Sequence, residues 1–308
     1  MERKVSIIGA GKVGATTAHL IALKGLADVV IVNRTAGTAQ GIALDIRESM
    51  PVEGLDVNAT GSGDFSAIEG SDIVVVTAGA QRKEGMSRDD LLKINSQIVS
   101  EAAAAIKKHA PDSIAIVVTN PLDAMAFLMM RNTGFTKNRV IGMAGALDSS
   151  RFAAFIADEL GTSVKEVNTM ILGSHGDSMV PLISQTTVKG MPVSGLISKE
   201  RLDSIVARAR DGGAEIIKFE GSSAYYAPAS SIVSMVDAIL NDTKRIIPCS
   251  AYAEGEYGIK GIFIGLPVML GSKGIEKIVD MPISKDERNA LNASASKISG
   301  LINQLEKP

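Results

Sequence analysis

Val5-Ser6-Ile7-Ile8-Gly9-Ala10-Gly11-Lys12-Val13-Gly14 decides how this chain folds. A short apolar run enters a G-x-G-x-x-G turn at once, and apolar residues spaced by three and four then follow over residues 13–23. Alone the glycine pattern is weak, because the chain has 30 glycines. Its placement carries the reading. A strand that ends in glycines and opens a helix aims backbone N–H groups and the helix N-terminus at one point, where a pyrophosphate can sit. Gly9, Ala10, Gly11, Lys12, Val13 and Gly14 are therefore the expected phosphate-binding residues of a dinucleotide site.

The same grammar extends outward. Val29-Val30-Ile31-Val32, Ile73-Val74-Val75-Val76 and Ile114-Ala115-Ile116-Val117-Val118 are continuous apolar runs, as expected of strands buried on both faces of a parallel sheet. Weaker runs at 56–60 and 140–142 bring the expected strands to six. Helical spacing over 91–106 and 124–130 alternates with them, which predicts an α/β, Rossmann-type doubly wound parallel sheet with right-handed crossovers. After residue 142 the pattern changes. Helical stretches are expected at 150–160, 198–219, 229–240 and 285–305, and strand-like pieces at 167–172, 246–252, 262–264 and 267–270, with a polar β-rich region up to 193. The reading is a dinucleotide-binding domain over 1–142 and an α+β substrate domain over 143–308, with the active cleft between them.

Composition narrows the function. With 308 residues the chain is long enough for a large core. Its 32 Lys+Arg against 34 Asp+Glu give a net charge of −2 and no electrostatic case for nucleic acid or an anionic membrane surface. Aromatics are 4% with no Trp, against a base-stacking platform. The single cysteine, Cys249, excludes an internal disulfide, and no His/Cys/Asp/Glu cluster has ligand spacing, so no metal is expected. The N-terminal apolar run is too short for a secretory signal and no stretch approaches the ~18 apolar residues of a membrane span; a cytoplasmic protein is expected.

In dinucleotide folds the second strand usually ends in an acid about 20 residues after the glycines, bonded to the adenosine ribose. Here that place holds Asn33, followed by Arg34. A carboxylate would repel a 2′-phosphate whereas Arg34 can bind one. Acceptance of NADP beside NAD is therefore expected.

The chain has three histidines. His19 lies within the first helix and His109 beside Lys107-Lys108, both read as structural or solvated. His175, in Leu172-Gly173-Ser174-His175-Gly176-Asp177, follows a buried run and is flanked by glycines that let a ligand approach. Leu147-Asp148-Ser149-Ser150-Arg151 sets a carboxylate and a guanidinium three apart, on one face if helical. Asp148 can then orient a protonated His175, and Arg151 can bind a carboxylate bidentately.

Together Gly9–Gly14, Thr119-Asn120-Pro121, L-D-x-x-R at 147–151 and G-x-H-G-D at 173–177 resemble the lactate/malate dehydrogenase family. The segment Ala80-Gln81-Arg82-Lys83-Glu84-Gly85-Met86-Ser87-Arg88 is similar to the mobile substrate loop of its malate branch, and the likeness continues through Tyr225-Tyr226-Ala227-Pro228 and Glu256-Tyr257-Gly258. The subgroup it most resembles is the lactate-dehydrogenase-like malate dehydrogenases. The resemblance implies that His175 is the acid/base, paired with Asp148, that Arg151 binds the C1 carboxylate, and that Arg88 polarises the carbonyl. It implies that Asn120 contacts substrate and cofactor, that Asn95 and Val118-Thr119-Asn120 line the nicotinamide side, and that the chain forms a homotetramer or homodimer. Gly79 and Gly85 bracket the loop as hinges.

Arg82 distinguishes the substrates. Lactate dehydrogenases of this family usually carry Gln there, whereas a second cation suits the distal carboxylate of oxaloacetate. A lactate or other 2-hydroxy acid dehydrogenase is the alternative, and a non-catalytic nicotinamide sensor a third reading, against which stand His175, Asp148, Arg151 and Arg88 together. An NAD-dependent glycosidase would need a Cys/His metal site that Cys249, with no nearby His, does not provide.

Overall fold

The computed structural model describes residues 3–80 and 88–305, with the side chain of Arg88 outside the description. The first half runs β1 (Lys4–Ile8), α1 (Lys12–Leu23), β2 (Asp28–Val32), α2 (Ala36–Glu53), β3 (Ala59–Ser62), β4 (Ile73–Val76), α3 (Arg88–His109), β5 (Ile114–Val117), α4 (Leu122–Thr133) and β6 (Val140–Gly142). These strands lie in the order β3-β2-β1-β4-β5-β6 and every pairing among them is parallel. In register, Ile7 sits beside Ile31 on one side and Val75 on the other. Chain direction of the winding reverses between β1 and β4, so a crevice opens beyond their carboxyl ends, where ligands of such sheets bind.

The unbroken apolar runs have a geometric cause. Successive strand residues point to opposite faces. Val5, Ile7, Val29, Ile31, Ile73, Val75 and Ile116 join one core with residues of α1 and α2, while Ile8, Val30, Val32, Val74, Val76, Ala115 and Val117 join the other with residues of α3 and α4. Both faces are covered, so both residue parities must be apolar. Each fully buried Val or Ile contributes roughly 1.5–3 kcal/mol.

The second half adds α5 (Gly145–Leu160), β7 (Val167–Asn168), β8 (Ile171–Gly173), β9 (Met179–Pro181), β10 (Thr187–Val188), β11 (Met191–Pro192), α6 (Lys199–Glu220), α7 (Tyr226–Leu240), β12 (Arg245–Glu254), β13 (Lys260–Gly271), β14 (Gly274–Ile278) and α8 (Lys285–Leu305). Ser250 of β12 pairs antiparallel with Gly142 of β6, so the parallel sheet continues into the antiparallel β12-β13-β8-β9 arrangement. At residue 142 the strand direction changes while the sheet stays continuous.

The sequence reading differs from this architecture at identifiable points. The pieces expected at 262–264 and 267–270 are one strand, β13. Gly265 and Pro267 look like punctuation, but Pro267 faces Pro248 in register and Gly265 lies so close to Gly173 of β8 that a Cβ would strike its carbonyl oxygen. The run at 167–172 divides into β7 and β8, which belong to different sheets. The weak third strand begins at Ala59. α2, interrupted in sequence by Gly37, Gly41 and Pro51, and the short β14 carry no clear apolar period. No helix among the described residues is long and apolar enough to cross a membrane, and these residues contain no group of three or more His, Cys, Asp or Glu placed to hold a metal ion.

Candidate active site

The glycine loop is built by close packing. Gly9 has φ +117°, and a Cβ there would lie 2.6 Å from the Ala78 nitrogen. At Gly14 a Cβ would strike the Gly9 carbonyl oxygen and lie 2.8 Å from Thr77 Oγ1. Gly11 differs: a Cβ there meets nothing within 4 Å. Gly11 also caps α1 without any side-chain hydrogen bond. The first turn of α1 thus keeps its N–H donors and the positive end of its dipole for something outside the chain. Two glycines close the turn, and the third leaves an open approach, a cradle that fits a dinucleotide pyrophosphate.

At the end of β2, Asn33 Oδ1 accepts a 3.4 Å hydrogen bond from the Ala10 amide, and its Nδ2 donates to the Thr35 carbonyl at 3.3 Å. The asparagine ties the glycine loop to the β2 turn, and Arg34 beside it is exposed. Lys12 Nζ donates to Ser222 Oγ at 2.8 Å, lies 3.5 Å from Glu220 and sits 5.0 Å from the Tyr225 ring.

Beyond β5, Thr119 is buried and its hydroxyl donates to the Ala78 carbonyl at 2.6 Å; Val118 is half-buried and Asn120 exposed. Asn95 of α3 is 1% exposed. Its Oδ1 accepts from the Ala80 amide at 2.7 Å, and its Nδ2 donates to the carbonyls of Ala80 (3.2 Å) and Asn120 (2.6 Å). The Asn95 amide therefore acts on main chain, clamping residue 80 to residue 120. Gly79 is required by packing here, since a Cβ would lie 2.7 Å from the Thr119 methyl.

α5 carries Asp148 and Arg151, the partners expected for His175. Asp148 is 3% exposed, and its Oδ2 lies 2.9 Å from His175 Nδ1. Its other oxygen lies 3.8 Å from Arg151 Nη1, one helical turn on. Burial pushes the His175 pKa down, but the charge of Asp148 and its hydrogen bond outweigh this, and the net shift is above the ordinary imidazole value. Burial lowers the pKa of Arg151, opposed by Asp148. Arg151 Nε is buried without a hydrogen-bond partner among the described residues. Gly212 of α6 makes room for it: a Cβ there would lie 3.2 Å from Arg151 Cδ. A half-buried guanidinium whose Nε has no partner among the described residues, beside a histidine–aspartate pair, is suited to capture a carboxylate next to a group that accepts a proton.

Comparison with known proteins accords with this geometry. Residues 3–142 match the family model described as lactate/malate dehydrogenase, NAD binding domain, and residues 145–307 match its alpha/beta C-terminal domain. The chain belongs to the lactate/malate dehydrogenase family. It is 49% identical over 307 residues to a malate dehydrogenase of Roseiflexus sp. (strain RS-1), covering 99% of each chain. Among solved structures, the malate dehydrogenase of Picrophilus torridus in its apo form superposes with a TM-score of 0.95 at 43% identity, covering 98% of this chain and 97% of that one. The lactate dehydrogenase of Cryptosporidium parvum, complexed with lactic acid and nicotinamide adenine dinucleotide, gives 0.96 at 37% identity over 100% and 99%. The expected fold class and family are both borne out.

Within this lactate/malate dehydrogenase fold, His175, Asp148 and Arg151 converge as their spacing suggests, and the helical face expected of Asp148 and Arg151 is α5. His19 lies within α1 and His109 ends α3. Arg82 and Gly85 lie outside the described residues; Arg88 opens α3 by its main chain, and its side chain lies outside the description. Sequence reading did not single out Asp123, second residue of α4, which accepts from Ser174 Oγ at 2.8 Å and Ser250 Oγ at 2.6 Å. An acid in the first turn after the Asn120-Pro121 strand end was the available signal.

Proposed function

We propose that this chain is a malate dehydrogenase, reversibly reducing oxaloacetate to (S)-malate with a nicotinamide dinucleotide. The observation that carries the reading is the 2.9 Å Asp148–His175 pair with the half-buried Arg151 one turn from Asp148 on α5. Arg151 would hold the C1 carboxylate bidentately and so fix the C2 carbonyl against His175. The chemistry a nicotinamide would supply when bound is the hydride that C2 takes up. In that direction protonated His175 donates from Nε2 to the carbonyl oxygen, while Asp148 keeps Nδ1 protonated and the ring in place. In the reverse direction neutral His175 takes the hydroxyl proton. Arg88 would stabilise the developing alkoxide and Arg82 pair with the distal carboxylate, as the family resemblance implies.

The glycine loop from Gly9 to Gly14 would hold the pyrophosphate, with Asn33 and Arg34 beside the adenosine ribose. Relatives and the matched domain favour NAD; Arg34, exposed and cationic where an acid is usual, supports acceptance of NADP as well. We also assign the chain to a homotetramer or homodimer in the cytoplasm, with the cofactor domain ending near residue 142. A lactate dehydrogenase is the second reading at the level of the family, because lactate and malate dehydrogenases of Cryptosporidium parvum superpose on this chain equally well, both with a TM-score of 0.96. Initial rates with oxaloacetate and with pyruvate, each with NADH and NADPH, separate them: oxaloacetate should be faster by about 10³-fold, the scale on which an unpaired buried charge discriminates. Faster pyruvate reduction would assign the lactate branch.

A further inference from the structure

His175 lies outside any strand or helix, between two glycines of positive φ, Gly173 at +81° and Gly176 at +109°. Such backbone is permissive, so its position must be set from outside. The C-terminal helix supplies the hold. The Ser174 amide donates to Ser294 Oγ of α8 at 2.8 Å. Ser294 is fully buried, and a Cβ at Gly173 would lie 3.0 Å from its oxygen. At the far end of the same segment α8 takes hold again, where Glu287 accepts from the amide (3.0 Å) and the hydroxyl (2.7 Å) of Ser184. The helix therefore grips the chain on both sides of His175. Two other serines of α8 show the ordinary alternative. Ser296 and Ser299 turn their hydroxyls back to the carbonyls of Asn292 and Ala295 in their own helix, both at 3.1 Å. Ser294 instead offers its oxygen outside the helix, to the residue next to His175.

We propose that Ser294 is a positioning residue for His175: by anchoring the Ser174 amide it lets α8 hold the imidazole against Asp148. This rests on the reading of His175 as the proton donor. The contacts are continuous. Ser294 fixes the main chain one residue before His175, and the imidazole Nδ1 then stands 2.9 Å from Asp148 Oδ2. Asp123 of α4 holds the same turn separately, through the Ser174 hydroxyl at 2.8 Å, so loss of the Ser294 oxygen loosens the turn without releasing it. The Ser174 N–H would be left without its partner, and the chain would shift to find another. The charged groups around the imidazole are Asp148 and Arg151 of α5, with the carboxyl of Asp123 beyond Ser174. β12 and α8 bring the uncharged Ser250 and Ser294 to the turn. A change at residue 294 removes no charge, so any movement of the His175 titration there reports position.

Ser294→Ala is the test, and alanine is the better helix former, so α8 itself is not weakened. Ser296→Ala is the matched control: the same substitution in the same helix, at a hydroxyl bonded within that helix. Histidine NMR titration, feasible with three histidines in the chain, and steady-state kinetics are the readouts. In Ser294→Ala the imidazole loses part of its contact with Asp148, so the His175 pKa should fall toward its ordinary value by about 0.5 unit, with His19 and His109 unmoved. A misplaced proton donor costs turnover more than binding, so kcat for oxaloacetate should fall about 10-fold, with KM within about 2-fold and the NADH dissociation constant unchanged. Ser296→Ala should match the parent in all four. An unmoved His175 titration in folded Ser294→Ala overturns the proposal, as does a parental kcat, a loss carried by KM, or an equal loss in Ser296→Ala. Ser294→Cys keeps nearly the same volume with a weaker acceptor. It should shift both readouts in the same direction, and it decides the matter if the alanine variant does not fold. Because the titration needs no turnover, an enzyme inactive on oxaloacetate would refute the functional reading alone.

Discussion

Replacing Asp148 by Asn removes one charge and almost no volume from a site where the carboxylate is 3% exposed and 2.9 Å from His175 Nδ1. A hydrogen bond to a charged group is worth about 1.5–3 kcal/mol net, and one pKa unit is 1.36 kcal/mol. The His175 pKa, held above its ordinary value by Asp148, should therefore drop by about one to two units. Reduction of oxaloacetate needs the protonated ring, so its kcat should fall about 10–100-fold above that pKa and recover as the pH is lowered. Malate oxidation needs the neutral ring, and its acidic limb should move to lower pH. Arg151 loses a neutralising neighbour at 3.8 Å and keeps its donors, so KM for oxaloacetate should stay within about 3-fold. The assay is the pH dependence of kcat and KM in both directions. NADH fluorescence, with no Trp in the chain to interfere, checks that the cofactor site is intact. An unmoved pH profile, or a loss confined to KM, would refute the pairing as the source of the proton affinity.

Other outcomes follow from single residues. Gly14→Ala drives a methyl into the Gly9 carbonyl and to 2.8 Å from Thr77 Oγ1; the loop must shift, and NADH affinity should fall at least about 10-fold, with a stability cost of about 1–3 kcal/mol in a melting curve. Arg34→Ala should weaken NADPH selectively, by about 10-fold, with NADH nearly unaffected in the same fluorescence titration. Equal effects on both would remove Arg34 from 2′-phosphate recognition. Arg82→Gln should lower kcat/KM for oxaloacetate by about 10²–10³-fold while pyruvate is spared or gains, and an unchanged ratio of the two would remove Arg82 from the substrate site.

The parallel half was legible because burial on both faces forces uninterrupted apolar strands, and the glycine loop because its spacing follows from packing that Gly9 and Gly14 show directly. The His175–Asp148 contact was legible through motif company, although the two lie in different elements and only tertiary packing sets their separation at 2.9 Å. β13 was misread because Gly265 and Pro267 serve sheet packing there and not chain reversal. Asp123 was missed for a similar reason: one acid in a helix first turn looks solvated in sequence, and its burial depends on Ser174 and Ser250 arriving from distant segments.

The most direct test of the account is kcat for oxaloacetate reduction by His175→Asn, beside an NADH titration of the same protein. General acid–base catalysis is typically worth 10²–10⁴-fold, so kcat should fall by about that factor with NADH binding unchanged. A kcat within about 3-fold of the parent, on that same scale, would contradict the assignment of His175 as the proton donor.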